Sequence, residues 1–207
     1  MNRAYIFIKK LNFMKKLFSK CQWVSIFIIP FLSSCGYNKM VSLDESVKGQ
    51  WAQVQNVYQR RLDLIPNLVN TVKGYANFEK ETLTQVIEAR SKATSVNIDA
   101  SKLTPANLKT FQQSQDGLSS ALSRLMVVVE KYPDLKANQN FLELQAQLEG
   151  TENRISIERQ KFNEVTREYN TYIKGFIQRF WANMFGFNEK GYFEATQGAE
   201  KAPEVKF

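Results

Sequence analysis

VKGQWAQVQNVYQRRLDLIPNLVNTVKGY, residues 47–75, is the stretch on which the fold reading turns. Its apolar side chains fall at Val47, Trp51, Val54, Tyr58, Leu62, Ile65, Leu68, Val72 and Tyr75, in steps of mostly three and four. That spacing places them on one face of an α-helix, and a face so apolar is built to be buried. The pattern begins near residue 43, where Asp44 and Glu45 put negative charge at the positive end of the helix dipole. It continues through Leu83, Val86 and Arg90 to about residue 95. Pro66 interrupts it. Proline has no N–H and its ring clashes with the preceding turn, so a kink or break is predicted there.

Downstream, residues 96–104 lose the pattern. Thr104-Pro105 then supplies an N-cap followed by proline at the first helical position. A second helix is predicted over 105–131, with Leu108, Phe111, Leu118, Leu122, Leu125 and Val129 inward, until Tyr132-Pro133-Asp134 stops it. A third is predicted over roughly 135–185, its seam running Phe141, Leu144, Leu148, Ile155, Phe162, Val165, Tyr169, Ile173, Phe176, Phe180 and Met184, with Gly150 a mild fault. The class is all-α: an elongated antiparallel up-and-down bundle of long helices over 43–185. The outer helices are too long to be covered fully by the shorter middle one. Residues 186–207 form an extended C-terminal tail. Its aromatics Phe187, Tyr192, Phe193 and Phe207 argue for docking on the apolar surface that the middle helix leaves open, because a disordered linker carries few aromatics.

Upstream, the order is a basic stretch at 15–20, an apolar run at 23–32, and Leu32-Ser33-Ser34-Cys35. This is the order of a secretory signal, and the apolar run is about half the roughly 20 residues that span a bilayer. The last four residues resemble a lipobox, which implies a diacylglycerol on the Cys35 thiol and a cut before it. Residues 1–34 are therefore read as a lipoprotein signal peptide, with Met14 the expected start, and 35–42 as a lipidated anchor and short linker. Gly36, rather than aspartate, follows the cysteine. Where two membranes exist, that favours the outer one.

Composition narrows the chemistry. The net charge is +8, but Arg3, Lys9, Lys10, Lys15, Lys16 and Lys20 sit in the leader without an acid, leaving 22 bases against 20 acids in the rest. A nearly neutral domain has no electrostatic footprint for nucleic acid. There is no histidine, and the two cysteines are Cys21 and Cys35. His-dependent nucleophile systems, thiolate or His-ligated metal sites and a disulfide within the mature domain are thereby excluded, and no cofactor or metal is expected.

Certain residues are more specific than periodicity. Tyr58-Gln59-Arg60-Arg61-Leu62-Asp63-Leu64-Ile65-Pro66-Asn67-Leu68-Val69 with Thr71-Val72-Lys73-Gly74-Tyr75-Ala76 resembles the signature of the LemA family. Leu43-Asp44-Glu45 with Trp51, Gly150-Thr151-Glu152-Asn153-Arg154-Ile155, Tyr169-Asn170, Gly186-Phe187, Tyr192-Phe193-Glu194-Ala195 and Ala202-Pro203 extend the resemblance over about 37–207. Phe78 departs from it where a histidine is expected, which counts against any metal there. The resemblance implies a helical bundle attached to a membrane and exposed outside the cytoplasm. It supplies no reaction. Many relatives carry an N-terminal transmembrane helix, which a lipid would replace here.

The candidate site is a polar network of Arg60, Arg61, Asp63 and Asn67 facing Glu152 and Arg154 on the last helix, with Arg159 and Asn163 nearby. Read as structure, it fixes helix register through paired buried charges. Read as function, it binds an anionic or peptide ligand. Gln112, Gln113 and Gln115 read as a solvated face. Phe176, Phe180, Trp181 and Phe185 read as core, the other reading being a membrane- or partner-facing patch. The expected function is a non-catalytic envelope lipoprotein that presents a helical surface to a protein partner. The alternatives are a carboxylate-only hydrolase, which needs two converging acids, and a small-ligand carrier, which needs an apolar cavity. Partner and oligomeric state stay open.

Overall fold

The computed structural model describes the backbone at residues 3–74 and 79–194, and side chains from Gly36 onward within those ranges. The elements are α1 (Arg3–Lys73), α2 (Lys80–Ser95), a 3-10 turn (Ala100–Lys102), α3 (Pro105–Val129), α4 (Pro133–Lys136), α5 (Gln139–Ile173) and α6 (Phe176–Phe185). The described residues are all-α, with an extended segment after α6.

Cross-helix bonds give the topology. Gln50 bonds Glu158, and Arg60 bonds Gln147, so α1 and α5 run antiparallel. Gln55 bonds Asn97, and Arg90 bonds the Leu62 carbonyl, so α2 descends beside α1. Gln115 bonds the Ala93 carbonyl and Lys131 bonds Glu79, so α3 rises beside α2. The four main helices therefore alternate up, down, up and down, with α4 at the distal turn and α6 at the opposite end.

The core has two parts. Near the α6 end it gathers Met40, Val47, Trp51, Tyr58, Phe111, Phe162, Tyr169 and Phe193. Distally it gathers Ile65, Leu68, Val72, Val86, Leu118, Leu125, Phe141 and Leu148. The seam predicted from residues 47–72 is the buried face of α1, with Val47, Trp51, Val54, Ile65, Leu68 and Val72 fully enclosed.

Four expectations need correction. Of the kink or break expected at Pro66, the break does not occur, since α1 runs on to Lys73. The chain turns beyond Gly74, so the stretch to residue 95 is two helices that pack side by side rather than one rod. The long third helix is interrupted twice. Lys136 ends α4, and Asn138 caps α5 by accepting from the Phe141 N–H at 3.1 Å. At the other end Gly175 adopts ψ 150, which cannot continue a helix, and α6 starts afresh. At 1.5 Å per residue α5 is about 52 Å long, shorter than the roughly 75 Å that an unbroken helix over 135–185 would span. Finally, residues 36–42 are no linker. They are already α1, and Met40 is fully buried. The second predicted helix begins where expected, with the Thr104 hydroxyl accepting from the Asn107 N–H at 3.2 Å and Pro105 behind it.

Candidate functional site

The proposed polar network divides by helix face. Arg61 is 2% exposed. Its Nη1 donates to Glu152 Oε2 and Ser119 Oγ, each at 3.0 Å, and Nη2 donates to the Gln115 side chain and carbonyl. The guanidinium also lies over the Tyr58 ring at 5.1 Å. Arg61 and Glu152 are thus brought together, joining α1, α3 and α5. The other members are not part of this cluster. Arg60, Asp63, Asn67 and Arg154 are solvent-exposed. Arg60 reaches Gln147 at 3.3 Å, and Asp63 accepts from Gln59 one turn away on α1 at 2.7 Å. The reason is geometric: at 100° per residue, positions 60, 63 and 67 point away from the face that holds 58, 61, 62 and 65.

The more elaborate site lies under the segment after α6. Gly186 closes α6 in the left-handed conformation, φ 77, and Phe187 N–H bonds back to the Ala182 carbonyl at 2.9 Å. The chain then runs extended and antiparallel to α5. Three side-chain carboxamides hold its backbone, each with both a donor and an acceptor. Asn170 takes the Lys190 N–H at 3.0 Å and gives to its carbonyl at 2.8 Å. Asn163 does the same for Phe193, both at 2.9 Å. Gln112 does so for Glu194 at 3.1 and 2.9 Å, and Arg159 adds a second bond to the Glu194 carbonyl at 2.7 Å. An extended segment normally finds these partners in a neighbouring strand. Here two helices supply them from side chains, so the backbone of Lys190, Phe193 and Glu194 is satisfied without a partner strand.

Side chains set what the cradle accepts. Phe193 is 5% exposed, packed against Trp51, Phe111 and Phe162 at centroid distances of 6.2, 6.4 and 5.5 Å, with Arg159 over its face at 4.8 Å. Gly191 donates to the Leu103 carbonyl at 2.9 Å, and a Cβ there would sit 2.8 Å from Pro105 Cα, so only glycine fits. Lys190 is buried, pairs with Asp44 at 2.8 Å and lies over the Tyr169 ring at 5.2 Å. Burial and the nearby Asp44 charge push the Tyr169 phenol up, so it stays protonated and donates to the Asn188 carbonyl at 3.0 Å.

Burial alone would raise the Asp44 carboxyl, but the hydrogen bonds and charges of Lys190 and Lys48 outweigh it and hold it below its ordinary 3.8. A carboxylate depressed in the folded state stabilises the protein above its unfolded pKa, about 3.9, and that stability goes as pH falls through the folded value. Replacing Asp44 with asparagine is expected to cost about 1–2 kcal/mol at pH 7, with the deficit against wild type closing below pH 4 in urea melts.

Sequence reading missed Gln112, Gln115, Asn170 and Lys190. Gln112 and Gln115 are 8% and 2% exposed, not a solvated face, whereas Gln113 is exposed as expected. The available signal was Asn163 and Asn170 lying seven apart beside Phe162 and Tyr169 on the buried side of α5. Phe176, Phe180 and Phe185 are 98%, 66% and 49% exposed, which corrects their assignment to the core, whereas Trp181 is half-buried against it.

The sequence model of the LemA family matches residues 50–207. The chain belongs to the LemA family. A protein named LemA from Metamycoplasma hominis is 28% identical over 160 residues, covering 77% of this chain and 69% of that one. Magnetosome protein MamQ 2 of Paramagnetospirillum magneticum is 24% identical over 179 residues, covering 76% of this chain and 64% of its own. MamQ of Magnetospirillum gryphiswaldense is 24% identical over 178 residues, with the same coverage. The chain thus spans about two thirds of the length of these LemA-like relatives. The family match takes in α5, α6 and the cradled segment. Tyr75, Phe78, Ala195 and Phe207, named in the sequence reading, lie outside the described residues, as do the side chains of the leader and Cys35.

Beside Tyr192, Phe193 and Glu194, among the described residues, a groove of about 860 Å³ runs along α5. Its walls include Glu152, Arg159, Gln160, Asn163, Glu164 and Arg167. Glu152, Glu164 and Glu194 line it; Glu152 and Glu164 are twelve residues apart on one helix, about 18 Å, so those two stand well beyond the roughly 5–10 Å of paired catalytic carboxylates. Among the described residues no group of three or more His, Cys, Asp or Glu is placed to hold a metal ion, and no helix is long and apolar enough to cross a membrane.

Proposed function

We propose that this LemA-family protein is a non-catalytic envelope lipoprotein, tethered through a lipid on Cys35 and facing outside the cytoplasm, that presents the α5 groove to an extended segment of a protein partner. The observation that carries this reading is the cradle. Three carboxamides on α3 and α5 already grip an extended chain by its backbone, and the groove lies alongside that chain on α5, with Gln160, Glu164 and Arg167 in its wall. Extended peptides are commonly recognised through main-chain bonds that give affinity and pockets that give specificity. The filled aromatic core under Phe193 speaks against a carrier cavity, and the distance along α5 between Glu152 and Glu164 speaks against those two acting as paired carboxylates. The lipobox, and the Gly36 that follows it, support an outer membrane where two exist. The test is in-cell photo-cross-linking with benzoylphenylalanine at Gln160 or Arg167, against exposed Ser123 on α3. Discrete protein adducts are expected from the groove positions and not from Ser123. Equal adducts at all three, or none in the groove, would refute the reading.

A further inference from the structure

Helix α6 is packed on the bundle by one side alone. Ala182 is buried and Trp181 half-buried, while Phe176, Ile177, Phe180 and Met184 are 98%, 66%, 66% and 57% exposed. Those four fall at i, i+1, i+4 and i+8, one stripe about 100° wide. Arg179 and Asn183 border it, and the helix contains no acidic residue. A stripe of this kind on a soluble surface marks an interaction site rather than a scattered exposed residue.

Its position names the occupant. The Tyr172 hydroxyl, one turn before α6, donates to the Gly36 carbonyl at 3.4 Å. Tyr37 packs its ring against Phe185 at 4.9 Å and Phe187 at 5.9 Å. Thus α6 lies across the end of the bundle where residue 36 emerges, and residue 35 is the cysteine of the lipobox. No linker separates them, because α1 is helical throughout this region. Whatever holds Cys35 at a membrane holds α6 there too.

We propose that α6 is an interfacial helix: it lies in the plane of the membrane, with Phe176, Ile177, Phe180 and Met184 entering the boundary between headgroups and acyl chains. The chemistry fits a lipid surface. An apolar stripe bordered by arginine, without acids, suits an anionic leaflet, and Tyr37 and Trp181 beside it are the aromatic types that favour the membrane–water boundary. The lipid on Cys35 and the helix would then form two anchoring signals, and the helix, packed on the bundle through Trp181 and Ala182, would set the tilt of the bundle and the direction in which the α5 groove faces. The orientation rests on the proposed tether at Cys35, but the stripe itself does not.

The experiment uses the full chain, purified from membranes and reconstituted into phosphatidylethanolamine–phosphatidylglycerol vesicles with a phospholipid bearing a diazirine near the end of one acyl chain. After illumination, adducts are mapped by mass spectrometry. They are expected at 176–185 in excess, on the order of tenfold, over the distal turn around Val127 to Lys136. The combined variant Phe176→Ser, Ile177→Ser, Phe180→Ser, Met184→Ser is expected to lose them with an unchanged circular dichroism melt, since all four side chains are already in solvent. Adducts on α6 no more frequent than at the distal turn, or adducts that survive in the variant, would overturn the proposal. So would a protein cross-link from position 180 in place of lipid. Palmitate labelling of Cys35 separates the two claims. Adducts on α6 without palmitate would uphold the helix and remove the tether; palmitate without adducts would do the reverse.

Discussion

Phe193→Ala is expected to lower the unfolding free energy by about 3–4 kcal/mol, the range for removing a buried phenyl ring. The ring is enclosed by Trp51, Phe111 and Phe162, residues of three different helices. None of these helices can close the gap alone, because each is held by its own neighbours. Loss of the ring should also free the segment it pins. Asn163 and Gln112 would then exchange their bonds to residues 193 and 194 for water, and amide hydrogen exchange at those residues should lose its protection. Phe193→Leu, which conserves more volume, should cost clearly less. Urea titrations should show the midpoint moving at constant slope, since the change lies in the folded state. A loss below about 0.5 kcal/mol, with unchanged exchange, would mean that residues 187–194 are not part of the folded unit in solution.

Glu152→Ala is expected to cost about 2–3 kcal/mol, and Arg61→Met less. The asymmetry follows from burial. Arg61 is 2% exposed, whereas the Glu152 side chain is 56% exposed. Removing the glutamate strands a buried positive charge with only neutral acceptors, Gln115 and Ser119. Removing the arginine returns a carboxylate to water and fills the space with an apolar chain, a swap that is often close to neutral. The part-exposure of Glu152 places the estimate below the 3–5 kcal/mol typical of a fully buried pair. A double-mutant cycle with Gln115→Ala would apportion the shared network. Should Glu152→Ala melt like wild type yet abolish cellular function, Arg61 and Glu152 would belong to a binding site rather than to the frame.

Much of this architecture is legible in the sequence because helical faces repeat. Val47 to Val72 mark one buried stripe, Thr104-Pro105 marks a helix start, and Phe141 to Ile173 marks another stripe. What escapes is whatever depends on direction rather than spacing. The seam at Ile173 continues at Phe176, Phe180 and Met184 in perfect register, yet Gly175 turns the axis, and the same spacing then points into solvent. Periodicity reports that side chains share a face, not what that face meets. The same holds for the polar residues. Arg60 and Arg61 are neighbours in sequence but 100° apart around the axis, and following that rotation from Tyr58 and Leu62 separates the buried one from the exposed one. The carboxamide clamps are beyond such reasoning. Gln112 and Glu194 are 82 positions apart, and nothing in a glutamine flanked by glutamine and phenylalanine says that it will face a backbone rather than water.

The proposals for the groove and for α6 meet at the proposed tether: a lipid on Cys35 would decide which surface lies against the membrane and which is free for a partner. Incorporation of radiolabelled palmitate in growing cells tests it most directly. The wild-type chain is expected to take up label and to migrate as a protein cut before residue 35, and Cys35→Ala is expected to take up none and to keep its leader or be cut elsewhere. Equal labelling of both chains, or none in the wild type, would contradict the account of a lipid-anchored envelope protein.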